Sequence, residues 1–171
     1  YWDLPTSFNN DKNYDEVQIS KGFKFELEKA INYRLISDVS LGTYLSGGLD
    51  SSLITAITAI NSKESINSYT IGFENLNEFK YSEIVSKKFN TNHHKILLKK
   101  EDYINNWEKL INFKDSPLGV PNEIPLAIMS KKLKEKITVV LSGEGADELM
   151  GGYGRIYRSP FDYENSSSNE S

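Results

Sequence analysis

The chain has 171 residues, 20 Lys and Arg against 24 Asp and Glu, a net charge of −4 and no cysteine. That length suits one domain with a sizeable core, and the acidic balance argues against a nucleic-acid partner. No apolar run reaches membrane-spanning length, and without cysteine there are no disulfides, thiolate nucleophiles or cysteine-zinc sites, which fits a cytoplasmic home.

In chain order, residues 1–16 are polar and aromatic without periodicity and read as a linker entering a domain. Residues 17–37 read as a helix, with Phe23, Leu27, Ile31 and Leu35 at steps of four. A short strand over Gly42 to Leu45 then passes through Gly47 and Gly48 into a helix over 50–61, whose apolar residues Leu49, Leu53, Ile54, Ile57 and Ile60 recur at three and four. Ile66 to Phe73 alternates and is β-branched, so a strand is expected. A helix follows over Glu78 to Phe89, a turn over Asn90 to Asn92 and a strand over His93 to Leu98. In that strand the only two histidines, His93 and His94, face opposite ways, and with no ligand cluster around them they read as core or surface residues rather than a metal site.

Further on, residues 101–113 read as a helix, 114–123 as a loop, Ile124 to Lys134 as a helix and Ile137 to Leu141 as a buried parallel strand, because the last run is continuously apolar. Residues 161–171 end in Asn-Ser-Ser-Ser-Asn-Glu-Ser and read as a flexible tail or truncation point. Strands alternating with helices predict an α/β fold: an open parallel sheet with flanking helices and a ligand at the carboxyl ends of the strands.

Two stretches carry chemistry. The first, Leu45-Ser46-Gly47-Gly48-Leu49-Asp50-Ser51-Ser52, is a strand, a glycine turn and a helix N-terminus. Unpaired N–H groups and the helix dipole there favour an anion, two glycines allow it close to the main chain, and three serines add hydroxyl donors. Phosphate is the expected ligand. A Walker A loop needs a lysine where Asp50 stands, and the three-glycine dinucleotide fingerprint is missing. The second stretch, Ser142-Gly143-Glu144-Gly145-Ala146-Asp147-Glu148, repeats the strand–turn–helix plan with three carboxylates in five residues. Both loops leave strand carboxyl ends, so Asp50 and Asp147 are placed to meet one Mg²⁺ on a triphosphate.

The seven residues Ser46 to Ser52 resemble the PP-loop of the ATP pyrophosphatases. Together with Ser142 to Gly152, and with Tyr1-Trp2-Asp3-Leu4-Pro5 at the start, they resemble the synthetase domain of the glutamine-dependent asparagine synthetases. The resemblance implies an adenine nucleotide α-hydrolase-like (Rossmann-like) fold over residues 17–160. It places Leu45 and Ile71 at adenine and ribose, and Ser142 and Gly143 at the nucleotide. Ser46, Gly47, Gly48, Asp50, Ser51 and Ser52 would form the pyrophosphate loop, and Asp50 and Asp147 would hold Mg²⁺. Glu144 takes the position tied to acyl-adenylate formation and to deprotonating ammonia.

The implied reaction is ligase chemistry: ATP activates the aspartate side chain, pyrophosphate leaves, and ammonia from a glutaminase domain gives asparagine and AMP. Nucleic acid and membrane are not implied as partners, and a homodimer is left open. Family members with both loops also act on sugars, β-lactam precursors or peptides, so the acceptor stays open here, as does a non-catalytic nucleotide-binding domain. A kinase is disfavoured by the missing loop lysine. The family's glutaminase needs an initial cysteine and its synthetase domain runs on past this chain's last residue, so the resemblance implies a fragment unable to complete the reaction alone.

Overall fold

A computed structural model of the chain describes residues 15–154. The expected flexible tail, 161–171, and all but the last two residues of the expected linker lie outside that range. The chain divides into two compact units at Ile36/Ser37.

The first unit contributes one helix, α1 (Glu16–Leu35). It begins where the linker was expected to end, because the Asp15 carboxylate accepts the Val17 N–H at 3.0 Å and so caps the first turn. At the other end the Arg34 guanidinium donates to the Ala30 carbonyl at 2.9 Å, the charge sign that suits a helix C-terminus.

The second unit is an alternating run of strands and helices: β1 (Leu41–Tyr44), α2 (Leu49–Asn61), β2 (Asn67–Phe73), α3 (Phe79–Phe89), β3 (Asn92–Leu98), α4 (Lys100–Lys114), α5 (Glu123–Leu133), β4 (Val139–Leu141) and α6 (Ala146–Met150). Two of these helices end on a left-handed residue other than glycine. Asn90 ends α3 and Asp115 ends α4 in the left-handed region, at φ 51° and 53°, where short polar side chains are tolerated.

The strands form one parallel sheet in the order β3-β2-β1-β4. Gly42 pairs with Asn67 on one side and with Val140 on the other, and β2 and β3 pair along their whole lengths from Asn67↔Asn92 to Phe73↔Leu98. Alternation gives the two faces different chemistry. Tyr69, Ile96 and Leu98 point toward α5 and form the apolar core with Met129, Leu133 and Ile137; α4 packs on α5. The opposite face, toward α2 and α3, is lined by buried hydroxyls: Thr43, Ser68 and Thr70 from the strands, Thr55, Ser82 and Ser86 from the helices. These are paired rather than stranded, as by Thr55 to Thr43 at 3.0 Å, which is the condition for burying them.

One expectation is corrected. Ile137 is buried, but it precedes the last strand, which starts at Val139 and is 36% exposed there. A continuous apolar run is the mark of a strand flanked on both sides; β4 pairs only with β1 among the described residues, so its side chains are left partly open.

Candidate nucleotide site

Because β1 and β4 are neighbours, the turns at their carboxyl ends meet. An added Cβ on Gly143 would lie 2.9 Å from the Asp50 Cβ and 2.9 Å from the Ser51 nitrogen, so the second loop rests directly on the first turn of α2. Between them opens a cleft of about 790 Å³. Ten of the sequence-selected residues line it: Leu45, Ser46, Gly48, Asp50, Ser51, Ile71, Ser142, Gly143, Glu144 and Asp147. Gly47 and Ser52 do not.

Those two exceptions have structural explanations or consequences of their own. Gly47 sits at φ +94°, and a Cβ there would meet the Tyr81 Cβ at 2.6 Å and the Ser82 nitrogen at 2.7 Å. Its glycine is therefore required by the turn and by packing against α3. The Ser52 hydroxyl is buried without a partner among the described residues. Gly48 is the opposite case, at φ −68° with only the Ser46 Oγ within 4 Å of an added Cβ, at 3.3 Å. Its missing side chain leaves the main chain open to the cleft.

No side chain caps α2, and the amides of Leu49, Asp50 and Ser51 have no acceptor among the described residues. Three aligned free N–H groups at the N-terminus of a thirteen-residue helix form an anion cradle. The serines arrange themselves around it. Ser46 Oγ lies 2.8 Å from Ser51 Oγ and accepts the Gly48 N–H at 3.1 Å, while the Ser46 N–H donates to Ser51 Oγ at 3.2 Å.

The carboxylates of Asp50, Glu144 and Asp147 have neither an ion pair nor a side-chain hydrogen bond among the described residues, though all three line one cleft. Unneutralised aspartates converging beside an anion cradle fit a hard divalent cation shared with phosphate oxygens. No group of three or more His, Cys, Asp or Glu close enough to share a metal ion occurs among the described residues. Glu148 is engaged elsewhere. Tyr153 donates to its Oε1 at 2.5 Å, which pushes the phenol up to about 12 and holds the Glu148 carboxyl below the usual range.

Several cleft residues escaped the sequence reading: Tyr44, Tyr69 and Thr70 from the strands, Leu76, Asn77 and Glu78 from the turn after β2, and Leu126, Met129 and Ser130 from α5. The turn is built by Phe73 and Leu76 exchanging backbone hydrogen bonds at 2.9 and 3.2 Å. Asn77 closes it by donating to the carbonyls of Phe73 and Glu74. The Asn75-Leu76-Asn77 cluster was the available turn signal. Nothing local marks α5 as a wall of the cleft. The two histidines do face opposite ways: His93 meets Ser68 and Thr70, and His94 stacks on Tyr69 with ring centroids 4.7 Å apart.

A parallel sheet with a glycine-serine loop at the first helix N-terminus and an acidic loop from the adjoining strand defines the PP-loop, Rossmann-like class of nucleotide-binding domains. Solved structures agree on the fold. The chain superposes on an NH3-dependent NAD synthetase from Campylobacter jejuni with a TM-score of 0.52, at 17% identity over 83% of this chain and 62% of that one. An NMN synthetase from Francisella tularensis gives 0.50 and 14%, over 82% and 59%.

Within that class the chain belongs to the asparagine synthase family, whose model matches residues 22–169. It is 35% identical to asparagine synthetase [glutamine-hydrolyzing] 1 of Bacillus subtilis over 148 residues, 85% of this chain and 23% of that protein. It is 33% identical to asparagine synthetase [glutamine-hydrolyzing] 1 of Arabidopsis thaliana over 174 aligned positions, 93% of this chain and 29% of that one. The chain thus spans less than a third of the length of these relatives. No helix among the described residues is long and apolar enough to cross a membrane.

Proposed function

We propose that this chain is the ATP-handling part of a carbon–nitrogen ligase that converts aspartate to asparagine through an acyl-adenylate. The observation that carries the reading is the convergence of the α2 anion cradle with three unpaired carboxylates in one cleft. The names of the relatives support aspartate as the acid.

A free carboxylate resists attack by ammonia because oxide is a poor leaving group. Attack of the aspartate carboxylate on the α-phosphorus of ATP makes AMP the leaving group instead and expels pyrophosphate. In this chain the free amides of residues 49–51 and the hydroxyls of Ser46 and Ser51 are arranged to take up charge on the departing pyrophosphate. Leu45 and Ile71, with Ser142 and Gly143, form the wall against which adenine and ribose lie. Asp50 and Asp147 would hold Mg²⁺, which would supply neutralisation of the phosphate charge. Glu144 is exposed in the cleft with no side-chain partner among the described residues, so its carboxylate is free to accept the proton that ammonia loses on attacking the acyl carbon. Residues 17–160 form the synthetase part, ammonia comes from a glutaminase domain, and the setting is cytoplasmic with neither nucleic acid nor membrane as partner.

The test is the nucleotide product. With Mg-ATP, aspartate and ammonia supplied to the chain with its flanking sequence, phosphorus NMR should show AMP and pyrophosphate forming only when aspartate is present. ADP as product, or no aspartate dependence, would overturn the reading.

A further inference from the structure

We propose that Gly152 is a positioning residue for the Asp147 carboxylate, its missing side chain leaving free the place that Oδ1 occupies. The proposal rests on the reading of Asp147 as a Mg²⁺ ligand.

The short helix α6 runs into a turn that folds back along it. Gly151 ends the helix in the left-handed region, at φ +73°, a conformation open to glycine without steric cost. The Gly152 N–H then donates to the Asp147 carbonyl at 3.0 Å, and the Tyr153 hydroxyl donates to Glu148 Oε1 at 2.5 Å. That second bond first, then burial and the nearby charges of Glu148, Asp147 and Glu144, push the Tyr153 phenol up to about 12, so it stays a donor at neutral pH. One main-chain bond and one side-chain bond thus pin residues 152 and 153 to neighbouring positions of α6.

The pinned turn brings Gly152 onto the carboxylate. A Cβ built on Gly152 would fall on Asp147 Oδ1, 2.7 Å from its Cγ and 3.1 Å from its Cα. The collision is with the carboxylate rather than with the helix, since a small shift relieves the approach to Cα. With no side-chain hydrogen bond on the Asp147 carboxylate among the described residues, this contact is what orients it. Side chains sit in discrete staggered wells. A carboxylate driven from this place goes to another well, a displacement far beyond the ~0.2 Å tolerance of a metal–ligand distance.

The other aspartate is backed in the same way. A Cβ on Gly143 would lie 2.9 Å from the Asp50 Cβ. Each of the two aspartates therefore rests against a glycine that follows β4, and the two contacts together set how the carboxylates stand toward one another.

The experiment is a Mg²⁺ titration of ATP binding by calorimetry, on the chain with its flanking sequence, beside urea unfolding followed by circular dichroism. Gly152→Ala should raise the Mg²⁺ concentration for half-maximal ATP binding roughly 10–100-fold, the range for a lost contact behind a metal ligand. ATP binding in EDTA reports the amide cradle alone and should stay within about twofold of wild type. A variant that weakens both equally, or neither, overturns the positioning role. A double-mutant cycle tests the contact itself. Gly152→Ala should lower the urea midpoint by about 0.5–1.5 M in the wild-type background. In an Asp147→Ala chain, where no carboxylate stands in the way, it should lower it by less than half as much. Equal losses in the two backgrounds overturn the contact. If Gly152→Ala does not fold, Tyr153→Phe carries the test, because it adds no atom at the contact and only releases the turn from Glu148. It should raise the Mg²⁺ requirement about threefold or more with binding in EDTA unchanged, and an unchanged requirement overturns the proposal. An Asp147→Asn chain that keeps the wild-type Mg²⁺ requirement overturns the metal reading of Asp147, while the cycle still decides whether Gly152 holds the carboxylate in place.

Discussion

Adjacent glycines in the phosphate loop should answer to different demands, and alanine substitution separates them. Alanine at Gly47 must adopt φ near +94° and bring its Cβ to 2.6 Å from the Tyr81 Cβ and 2.7 Å from the Ser82 nitrogen. The left-handed backbone costs about 1–2 kcal/mol in an L-residue. The overpacking adds about 1–3 kcal/mol, since the obstacle includes the main chain of α3 and cannot simply rotate away. Gly47→Ala should therefore destabilise the chain by about 2–5 kcal/mol, a large part of a typical domain's stability. At a urea slope of about 2 kcal/mol/M that lowers the unfolding midpoint by about 1–2.5 M. Gly48→Ala keeps an ordinary φ of −68° and meets only a serine hydroxyl at 3.3 Å. It should cost about 1 kcal/mol or less as a poorer N-cap. Its new methyl group, however, stands in the anion cradle, so Mg-ATP affinity should fall at least about tenfold. Urea unfolding followed by circular dichroism, with calorimetric titration on both variants, checks the pair. Equal destabilisation by the two substitutions, or a Gly48→Ala chain that binds Mg-ATP normally, would refute the assignment of one glycine to the fold and the other to the ligand.

Asp50→Asn and Asp147→Asn should each abolish the Mg²⁺ dependence of ATP binding while leaving the thermal midpoint nearly unchanged, because neither carboxylate supports a neighbour in the described fold; a large loss of stability would contradict this. Glu144→Gln should keep Mg-ATP affinity within about threefold yet slow amide formation by about 10²–10⁴, the range for a lost general base, read as kcat for asparagine. The loop after α4 should loosen in acid. Lys114 pairs with the Glu123 carboxylate, which also accepts the Gly119 and Val120 N–H groups at 2.7 and 3.2 Å and is held below the usual carboxylate range, by Lys114 first and then by Gly119. A depressed folded value means that the ordering is present above the ordinary glutamate range and is lost as pH falls through the depressed value. Amide exchange at Gly119 should accelerate only there, and Glu123→Gln should remove the pH dependence.

Much of this architecture is written in local pattern. The glycine-serine turn before an apolar helix, and the acidic turn after the last strand, each announce a strand carboxyl end facing a helix N-terminus. Nine of the residues chosen on that ground line the cleft. Gly47 shows the limit of such reading: sequence marks a glycine, but only the approach of Tyr81 from α3 reveals that packing requires it. Apolar periodicity likewise registers how many neighbours a strand expects, and the exposure of Val139 depends on what actually pairs with β4.

The sequence by itself determined the element types, the parallel alternation and the chemical character of both loops, because helix periodicity, glycine turns and carboxylate clusters are properties of neighbouring residues. Only the tertiary structure decided that β4 lies beside β1, nearly a hundred residues away, with Leu41 opposite Val139. That one pairing seats Gly143 on Asp50 and turns α5 into a wall of the cleft. Strand order is set by the burial of whole faces against one another, a global free energy to which no single stretch of the chain bears witness.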